Sequence, residues 1–258
     1  MKHTLQLKQR LRAGEHVTGT MVTIFDHPEI AQIIKNCGFD YFFVDAEHGY
    51  LNYDRLSALL GYARLCEIPV FMRLSCISKT EIGRALDMGA DGVICPNVET
   101  AEQAREIVRL SKYAPLGERG VSMTRPHTGY QKVNTPEFMK QANESLFVVC
   151  QTESMIGVNN IDAILSVEGV DGVLLGPNDL SQQMGIIGQL NHPDYIRAVD
   201  TVIEACKRHG KFCGNSSKEL SGLDPWIAKG MQFNQWSSDV ALYMRAASAG
   251  LAAWRNRD

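Results

Sequence analysis

The stretch from residue 170 to 181, which reads VDGVLLGPNDLS, contains the unit that decides the fold of this chain. Its apolar run Val173-Leu174-Leu175 stops at a Gly-Pro pair, and two polar residues follow at once. An unbroken apolar run of this length is typical of a parallel strand that is covered on both faces. The runs Phe42-Phe43-Val44 and Val93-Ile94-Cys95 have the same character. The sequence therefore predicts a parallel sheet enclosed by other elements.

These runs belong to a set of eight predicted strands, which alternate with segments of helical spacing. The predicted strands lie at 17–24, 41–45, 70–74, 92–96, 147–151, 172–176, 211–214 and 232–237. The predicted helices lie at 5–13, 27–37, 52–66, 78–88, 100–111, 135–143, 159–166, 193–209, 216–229 and 240–255. Ser78 and Thr100 both fit the capping-box pattern at a helix start. Eight parallel strands joined by helical crossovers close most naturally into a (β/α)8, or TIM, barrel.

The length of 258 residues allows either two small domains or one barrel. An open, doubly wound sheet is the competing fold, but no G-x-G-x-x-G motif follows the first strand and no P-loop occurs. We therefore predict a single barrel domain over 1–258, with an additional N-terminal helix and a C-terminal helix at 240–255 that makes an oligomer contact. The connection at 113–134 is unusually long and rich in Gly and Pro, and we expect it to fold across the barrel mouth.

Charge and cysteine content exclude several classes of partner. The chain has 26 Lys and Arg against 29 Asp and Glu, for a net charge of -3, and no basic run of the kind that binds nucleic acid or an anionic membrane. Its apolar runs are far shorter than the ~20 residues of a membrane span, and the first ten residues lack a signal-peptide core. Its seven cysteines include no C-x-x-C pair and mostly lie in apolar stretches, which is typical of free thiols. We expect a cytoplasmic protein.

Polar and ionisable residues gather where the predicted strands end, which is where barrel enzymes carry their active sites. The second strand ends at Asp45, with Glu47 and His48 just beyond. The other polar ends are Arg73 after the third strand, Gln151 and Glu153 after the fifth, and Asn178 and Asp179 after the sixth. A carboxylate in such a half-buried place is costly unless it is paired or bound to a metal. Any one of these acids could simply cap a helix or form an ion pair, but together they favour a metal site.

Each of these residues suggests a chemical role. A divalent cation between Glu153 and Asp179 would neutralise both carboxylates, and such hard oxygen ligands suit Mg²⁺ or Mn²⁺. Arg73 is either ion-paired inside the barrel or a fork for a substrate carboxylate or enolate oxygen. His48 is the favoured general base or proton relay. No predicted strand ends in Lys, which disfavours a Schiff-base aldolase.

Four segments carry a resemblance to a known family: DAEHG at 45–49, RGV at 119–121, QTE at 151–153 and the stretch 170–181. They closely resemble the HpcH/HpaI aldolase family, and the similarity runs from about residue 5 to 255. Members of that family are class II, pyruvate-dependent aldolases on a (β/α)8 barrel, which cleave or form 4-hydroxy-2-oxo acids. The first strand of the family's better-known members carries a Trp after its Gly, whereas Gly19-Thr20-Met21-Val22 has none here, and Ala is usual at the position of Asn178. These departures leave the aldehyde partner open.

The resemblance implies a role for each residue at the strand ends. Glu153 and Asp179 would bind Mg²⁺, Mn²⁺ or Co²⁺, without an organic cofactor. The substrate would be contacted by Gln151, by Arg73 at the pyruvate oxygen, and by the amides near Asn178 and Asp179. His48 would transfer protons, oriented by Asp87, with Asp45 and Glu47 in support. Family members are commonly hexamers, built as trimers of dimers, with the last helix exchanged between neighbours.

The resemblance therefore predicts reversible cleavage of a 4-hydroxy-2-oxo acid to pyruvate and an aldehyde through a metal-stabilised enolate. Two related lyases use the same kind of site: an oxaloacetate decarboxylase, and a CoA-ester lyase resembling the citrate lyase β chain. The CoA-ester reaction needs a basic site for the nucleotide phosphates, and the sequence displays no such cluster. A non-catalytic barrel that binds a small acid is the alternative from another class, and the intact set of polar residues disfavours it.

Overall fold

Eight parallel strands close into a barrel in the computed structural model, which describes residues 1–256. The strands follow the chain order around the barrel, and each is hydrogen-bonded to its sequence neighbours, with the eighth closing on the first. Their bounds are β1 Val17–Val22, β2 Tyr41–Asp45, β3 Val70–Arg73, β4 Gly92–Cys95, β5 Phe147–Thr152, β6 Gly172–Leu175, β7 Phe212–Ser217 and β8 Phe233–Ser238. This confirms the predicted (β/α)8 fold, and the last two residues of the predicted unit 1–258 lie outside the described residues.

Twelve α-helices are present in residues 1–256, most of them where the sequence predicts them. They are α1 Lys2–Arg12, α2 Ile30–Asn36, α3 Tyr53–Leu65, α4 Lys79–Met88, α5 Ala101–Ser111, α6 Thr135–Ser145, α7 Met155–Asn159, α8 Ile161–Leu165, α9 Pro177–Gln183, α10 Pro193–His209, α11 Asp224–Ala228 and α12 Asp239–Arg255. Short 3-10 turns lie at Pro126–Thr128 and Leu220–Leu223. Ser78 accepts a hydrogen bond from the Glu81 amide, and Thr100 forms the complete reciprocal capping box.

The structure differs from the predicted elements at three places. The helix predicted at 159–166 is the shorter α8, and another short helix that was not predicted, α7, precedes it. The strand β7 continues to Ser217, so the helix predicted at 216–229 is replaced by a 3-10 turn and α11. The helix α9 was not predicted, because its seven residues include only two buried ones and leave little helical pattern in the sequence, although its proline stands at a position that is common at helix starts.

Aromatic side chains fill the barrel at the end where the strands begin. Tyr41 and Phe233 stack with their ring centroids 4.3 Å apart, and Phe71 packs against Phe147 at 4.9 Å. Leu7 of α1 belongs to the same buried cluster, so this helix covers that end of the barrel. The neighbouring residues on each strand point outward and pack against the helices. The interior is therefore apolar where the strands begin, which leaves polar side chains to the end where the strands finish, the barrel mouth.

The long connection 113–134 does not cross the mouth of its own barrel, so that prediction was wrong. The guanidinium of Arg119 donates to the carboxylate of Asp87 at 2.9 Å, and Arg64 donates to the Pro126 carbonyl at 2.6 Å. Asp87 lies in the last turn of α4 and Arg64 in the last turn of α3, and both helices run away from the mouth. The connection starts where α5 ends, and a helix antiparallel to the strands ends beside their first residues. His127, for the same reason, lies beside α4 and not at the mouth.

The C-terminal helix α12 follows β8, and among its described residues only Asp239 is buried. Its exposed face carries several large apolar side chains, including Tyr243, Met244, Leu251 and Trp254. Within residues 1–256, no helix has the length and apolar character that a membrane span requires. Each of the seven cysteines is a free thiol.

Candidate active site

Strand periodicity explains why charged side chains enter the barrel at its mouth. On β2 the inward-facing series is Tyr41, Phe43 and then Asp45, because alternate residues of a strand share a face. On β3 the same rule carries Phe71 forward to Arg73. The register of the sheet sets Asp45 directly beside Arg73. The two ends therefore bring opposite charges together inside the barrel.

Asp45 fixes the position of Arg73 through a bidentate ion pair. The Nε and Nη2 atoms of Arg73 donate to the two carboxylate oxygens of Asp45 at 2.9 and 2.7 Å. Asp45 also accepts the backbone amides of Glu47 and His48, at 3.0 and 3.3 Å, which turns the chain after β2. The side chain of Asp45 is only 1% exposed, so this charge relies on its partners. Of the two alternatives for Arg73, the ion pair inside the barrel is therefore present.

The remaining nitrogen of Arg73 points to a second carboxylate. Its Nη1 lies 3.3 Å from Oε2 of Glu47, which is buried and accepts no hydrogen bond. Burial raises the pKa of Glu47; Arg73 opposes that rise, and the nearby charge of Glu153 adds to it. The side of Arg73 away from Asp45 thus points toward Glu47, which follows β2 at the mouth, and Nη1 forms no hydrogen bond with Oε2 of that carboxylate.

Glu153 is a buried carboxylate held on both oxygens. Its Oε1 accepts a hydrogen bond from the backbone amide of Asn97 at 2.8 Å, and its Oε2 accepts one from the side-chain amide of Gln151 at 2.6 Å. Burial raises the pKa of Glu153, the two hydrogen bonds oppose this, and the charge of Asp179 adds to the rise. Gly176 directly follows β6, and no side chain fits at this position because a Cβ atom would lie 2.3 Å from Oε2 of Glu153.

These residues supply the kind of donors that a divalent metal ion takes. The carboxylates of Asp45, Glu47 and Glu153 act on the guanidinium of Arg73, and the charge of Asp179 acts on Glu153, so the mouth has an excess of negative charge. All of the available ligand atoms are hard oxygens, which fit Mg²⁺ or Mn²⁺ better than a softer metal. The part of the chain that the structure describes has no cluster of three or more His, Cys, Asp or Glu side chains arranged for a metal. A cation here would therefore be held by two carboxylates, with its other positions left to substrate or water.

His48 and Asp87 are not brought together within one chain. His48 is exposed at the mouth, next to Glu47, with its amide held by Asp45. Asp87 lies in the last turn of α4, near the opposite end of the barrel, where it accepts from Arg119. The helix that carries Asp87 runs away from the mouth, so the predicted orientation of His48 by Asp87 does not occur inside a single barrel.

The sequence profile of the HpcH/HpaI aldolase/citrate lyase family matches residues 22–246. The chain belongs to this family. The 2-keto-3-deoxy-L-rhamnonate aldolase of Salmonella gallinarum is 34% identical over 254 residues, which cover 96% of this chain and 92% of that one. The predicted resemblance is thereby confirmed, and with it the expectation of an aldolase-type lyase.

Solved structures of HpcH/HpaI proteins superpose on nearly the whole chain. The HpcH/HpaI aldolase from Desulfitobacterium hafniense is 36% identical, with a TM-score of 0.93 and 97% coverage of both chains. The citrate synthase SbnG is 32% identical, with a TM-score of 0.88 and 98% coverage of both chains. The two structures carry different names, so relatives at this level of similarity include more than one activity.

One site residue of this HpcH/HpaI barrel, Asn97, was missed from the sequence. It follows β4 with a backbone φ of 55°, in the left-handed region that Asn adopts more readily than most residues. In this conformation the backbone amide of Asn97 donates a hydrogen bond to the carboxylate of Glu153. The signal was present in the sequence, as an Asn directly after the Pro that closes a predicted strand, but an Asn at such a place commonly serves the turn alone.

Proposed function

We propose that this HpcH/HpaI chain is a metal-dependent aldolase that reversibly cleaves a 4-hydroxy-2-oxo acid to pyruvate and an aldehyde. The observation that carries the proposal is the convergence of Arg73, held by Asp45, with the buried carboxylate of Glu153 at one barrel mouth. The relative from Salmonella supports it, because 2-keto-3-deoxy-L-rhamnonate is itself a 4-hydroxy-2-oxo acid. The aldehyde partner of this chain is left open by the missing Trp in its first strand, at 19–22, and by Asn178.

Glu153 and Asp179 would hold the divalent cation, Mg²⁺, Mn²⁺ or Co²⁺, with Gln151 and Asn178 on the substrate side. Such a cation, when bound, supplies Lewis acidity toward the keto oxygen of the substrate. Gln151 keeps Glu153 oriented through its hydrogen bond to Oε2. The exposed amides at the start of α9, next to Asp179, would receive the substrate carboxylate.

Arg73 would stabilise the negative charge that develops on the keto oxygen as the C3–C4 bond breaks. A guanidinium that is already positioned costs no reorganisation at that moment, which is the main source of electrostatic catalysis. Asp45 provides this positioning, and Glu47 lies on the other side of the same guanidinium. Arg73 is therefore assigned to the transition state more than to ground-state binding.

His48 would take the proton of the 4-hydroxyl group in cleavage and return it in condensation, since imidazole exchanges protons near neutral pH. Asp87 could orient it only from a second copy of the chain, because the two residues lie at opposite ends of one barrel. A homo-oligomer, a hexamer in which α12 is exchanged, is part of the proposal, and the exposed apolar residues of α12 support it. Seven free thiols support a cytoplasmic location.

Decarboxylation of oxaloacetate is the second candidate, because it passes through the same pyruvate enolate but has no 4-hydroxyl proton to remove. The two activities are separated by assaying pyruvate release from oxaloacetate and from a 4-hydroxy-2-oxo acid. We expect His48→Ala to lower aldol cleavage about 10²- to 10⁴-fold and to affect decarboxylation much less. His16→Ala is the matched control, since His16 is exposed and precedes β1 at the other end of the barrel.

Metal dependence is tested by chelation. EDTA should abolish aldol cleavage, and Mg²⁺ or Mn²⁺ should restore it in the wild type but not in Glu153→Ala. Full activity in EDTA would contradict the assignment of Glu153 and Asp179. Failure of the metal-loaded protein to exchange the methyl protons of pyruvate in D₂O would instead favour a non-catalytic barrel that binds a small acid.

A further inference from the structure

A cavity at the end of the barrel opposite the mouth is lined by basic side chains. Its volume is about 730 Å³, and it is bounded by α1, α6, the segment after α5, and the residues that precede β6 and β7. Its cationic lining residues are Lys8, Arg12, Lys112, Lys140 and Lys211. Among residues 1–256, two carboxylates, Asp171 and Glu144, line it as well. In a chain of net charge -3, this cavity is a local concentration of positive charge.

The ion pairs of the chain do not neutralise these cations. In residues 1–256, Lys8 is the one member of the group that has a carboxylate within ion-pair distance, with its Nζ 2.6 Å from Asp171. The second oxygen of Asp171 accepts the Val148 amide, so this carboxylate is already engaged. Lys112 and Lys211 donate to backbone carbonyls instead, Lys112 to Asn143 and Leu146. The lysines are thus anchored by neutral acceptors, and most of their charge stays uncompensated.

Two of these lysines are buried, and one of them, Lys112, has no carboxylate within ion-pair distance in residues 1–256, which is rare for a buried lysine. Lys8 is 4% exposed and Lys112 is 2% exposed. Burial lowers the pKa of Lys112 to about 7; Asp171 opposes this, and the neighbouring charges of Lys8 and Lys211 add to it. The pKa of Lys8 is lowered as well, first by its burial. The site therefore carries charges that repel one another at the wall of a cavity wide enough for a metabolite.

We propose that this cavity is a second ligand site, separate from the active site, and that it binds a small organic anion. The positive charges would receive a carboxylate or a phosphate group. The rest of the wall includes Ala114, Pro115, Leu116, Pro136 and Met139, so it would accept an apolar carbon chain attached to that group. A ligand with both features would satisfy the two halves of the lining at once.

Binding would also be coupled to a proton. The charged groups that face Lys112 are Lys8 from α1, Asp171 before β6 and Lys211 before β7, with Arg12, Lys140 and Glu144 around the cavity. An added anion favours the charged form of Lys112, so at pH 7.5 binding should take up protons from the buffer. Calorimetry in two buffers of different ionisation enthalpy measures this uptake directly. A ligand that bound only through apolar contacts would not cause it.

The test is calorimetric titration of the full chain with three probes of equal chain length: hexanoate, hexyl phosphate and hexanol. We expect saturable binding of at least one anion with proton uptake, and no binding of hexanol. Tighter binding of hexanoate would assign a carboxylate ligand, and tighter binding of hexyl phosphate a phosphate ester. Equal binding of hexanol, or binding of neither anion, would overturn the proposal.

Variants at the rim test the site without removing the buried lysines that support the fold. Arg12→Gln combined with Lys140→Gln removes two exposed charges and should weaken anion binding roughly tenfold. The matched control, Arg105→Gln with Lys132→Gln, removes one arginine and one lysine from exposed positions outside the cavity and should have no effect. Binding that survives the rim variant unchanged, or that is lost in Arg73→Ala at the active site, would refute a site at this end.

Discussion

The ion pair between Asp45 and Arg73 provides the sharpest test of how the fold supports the active site. Asp45→Asn keeps the size of the side chain but removes its charge. One oxygen could still accept from Nε of Arg73 and from the amides of Glu47 and His48, but the new amide group would face the donor Nη2. Removal of one partner from a buried pair typically costs about 3–5 kcal/mol, because the other partner stays buried without its closest counter-charge. The free energy of unfolding should fall by that amount.

For a protein of this size, 1 kcal/mol corresponds to roughly 2–4 °C in Tm, so Asp45→Asn should lower Tm by about 6–20 °C in calorimetric unfolding. The matched control is Asp162→Asn. Asp162 also binds one arginine through both oxygens, at 2.8 Å each from Arg208, but both side chains are more than half exposed. A surface pair of this kind contributes about 0–1 kcal/mol.

The same variant should lower kcat for pyruvate release, because a loosely held Arg73 no longer meets the developing charge; displacement by about 1 Å can cost about 10²-fold. KM should change much less. The reasoning would be refuted if Asp45→Asn destabilised the protein no more than Asp162→Asn does. It would also be refuted if Asp45→Asn kept the wild-type kcat in its folded form.

Two further predictions concern the frame around the site. The carboxylate of Asp239 accepts hydrogen bonds from Thr23, Ile24, Phe25 and Val240, which lower its pKa despite burial. The stability that the charged Asp239 contributes is therefore fully present above the usual pKa of 3.8 and is lost as the pH falls through the lowered pKa. Asp239→Asn should lower the free energy of unfolding by about 2–3 kcal/mol at pH 7 and by progressively less in acid. A difference in urea unfolding that does not change with pH would contradict this. Gly214→Ala should prevent stable folding, because its Cβ atom would lie 1.5 Å from the Phe233 carbonyl oxygen. Gly61→Ala is the control: Gly61 faces open space on α3, so this variant should stabilise the protein by about 0.5–1 kcal/mol. Equal expression and Tm of the two variants would contradict the packing argument.

The fold was accessible from the sequence because its signals are local. The apolar runs of β2, β4 and β6 each predict a buried strand from a few consecutive residues alone. The end of β7 was not accessible in this way. Asn215, Ser216 and Ser217 read as a turn, but Asn215 pairs with Leu175 and Ser216 with Gln235 in the closed sheet. Polar residues continue the strand there because they line the polar mouth of the barrel.

The sequence also indicated which polar residues lie at the barrel mouth, but it did not indicate their contacts. The sequence allowed Arg73 to be ion-paired, to bind substrate or to do both, and its position favoured the substrate role; the register of β2 and β3 gives it an aspartate partner. The amide of Asn97 reaches Glu153 from 56 residues away, because β4 and β5 are neighbours in the sheet. Asp87 was expected near His48, and the direction of α4 separates them in one chain.

The sequence by itself determined the eight strand–helix units, the barrel that they form, the family, and which strand ends carry charge. These follow from hydrophobic periodicity and from motifs that occupy a few consecutive residues. Only the tertiary structure decided which charges meet: Arg73 with Asp45, Glu153 with Gln151 and Asn97, and the lysines around the cavity at the other end. The physical reason is that closure of the barrel and the direction of each helix set distances between residues far apart in the chain, and no local pattern records those distances.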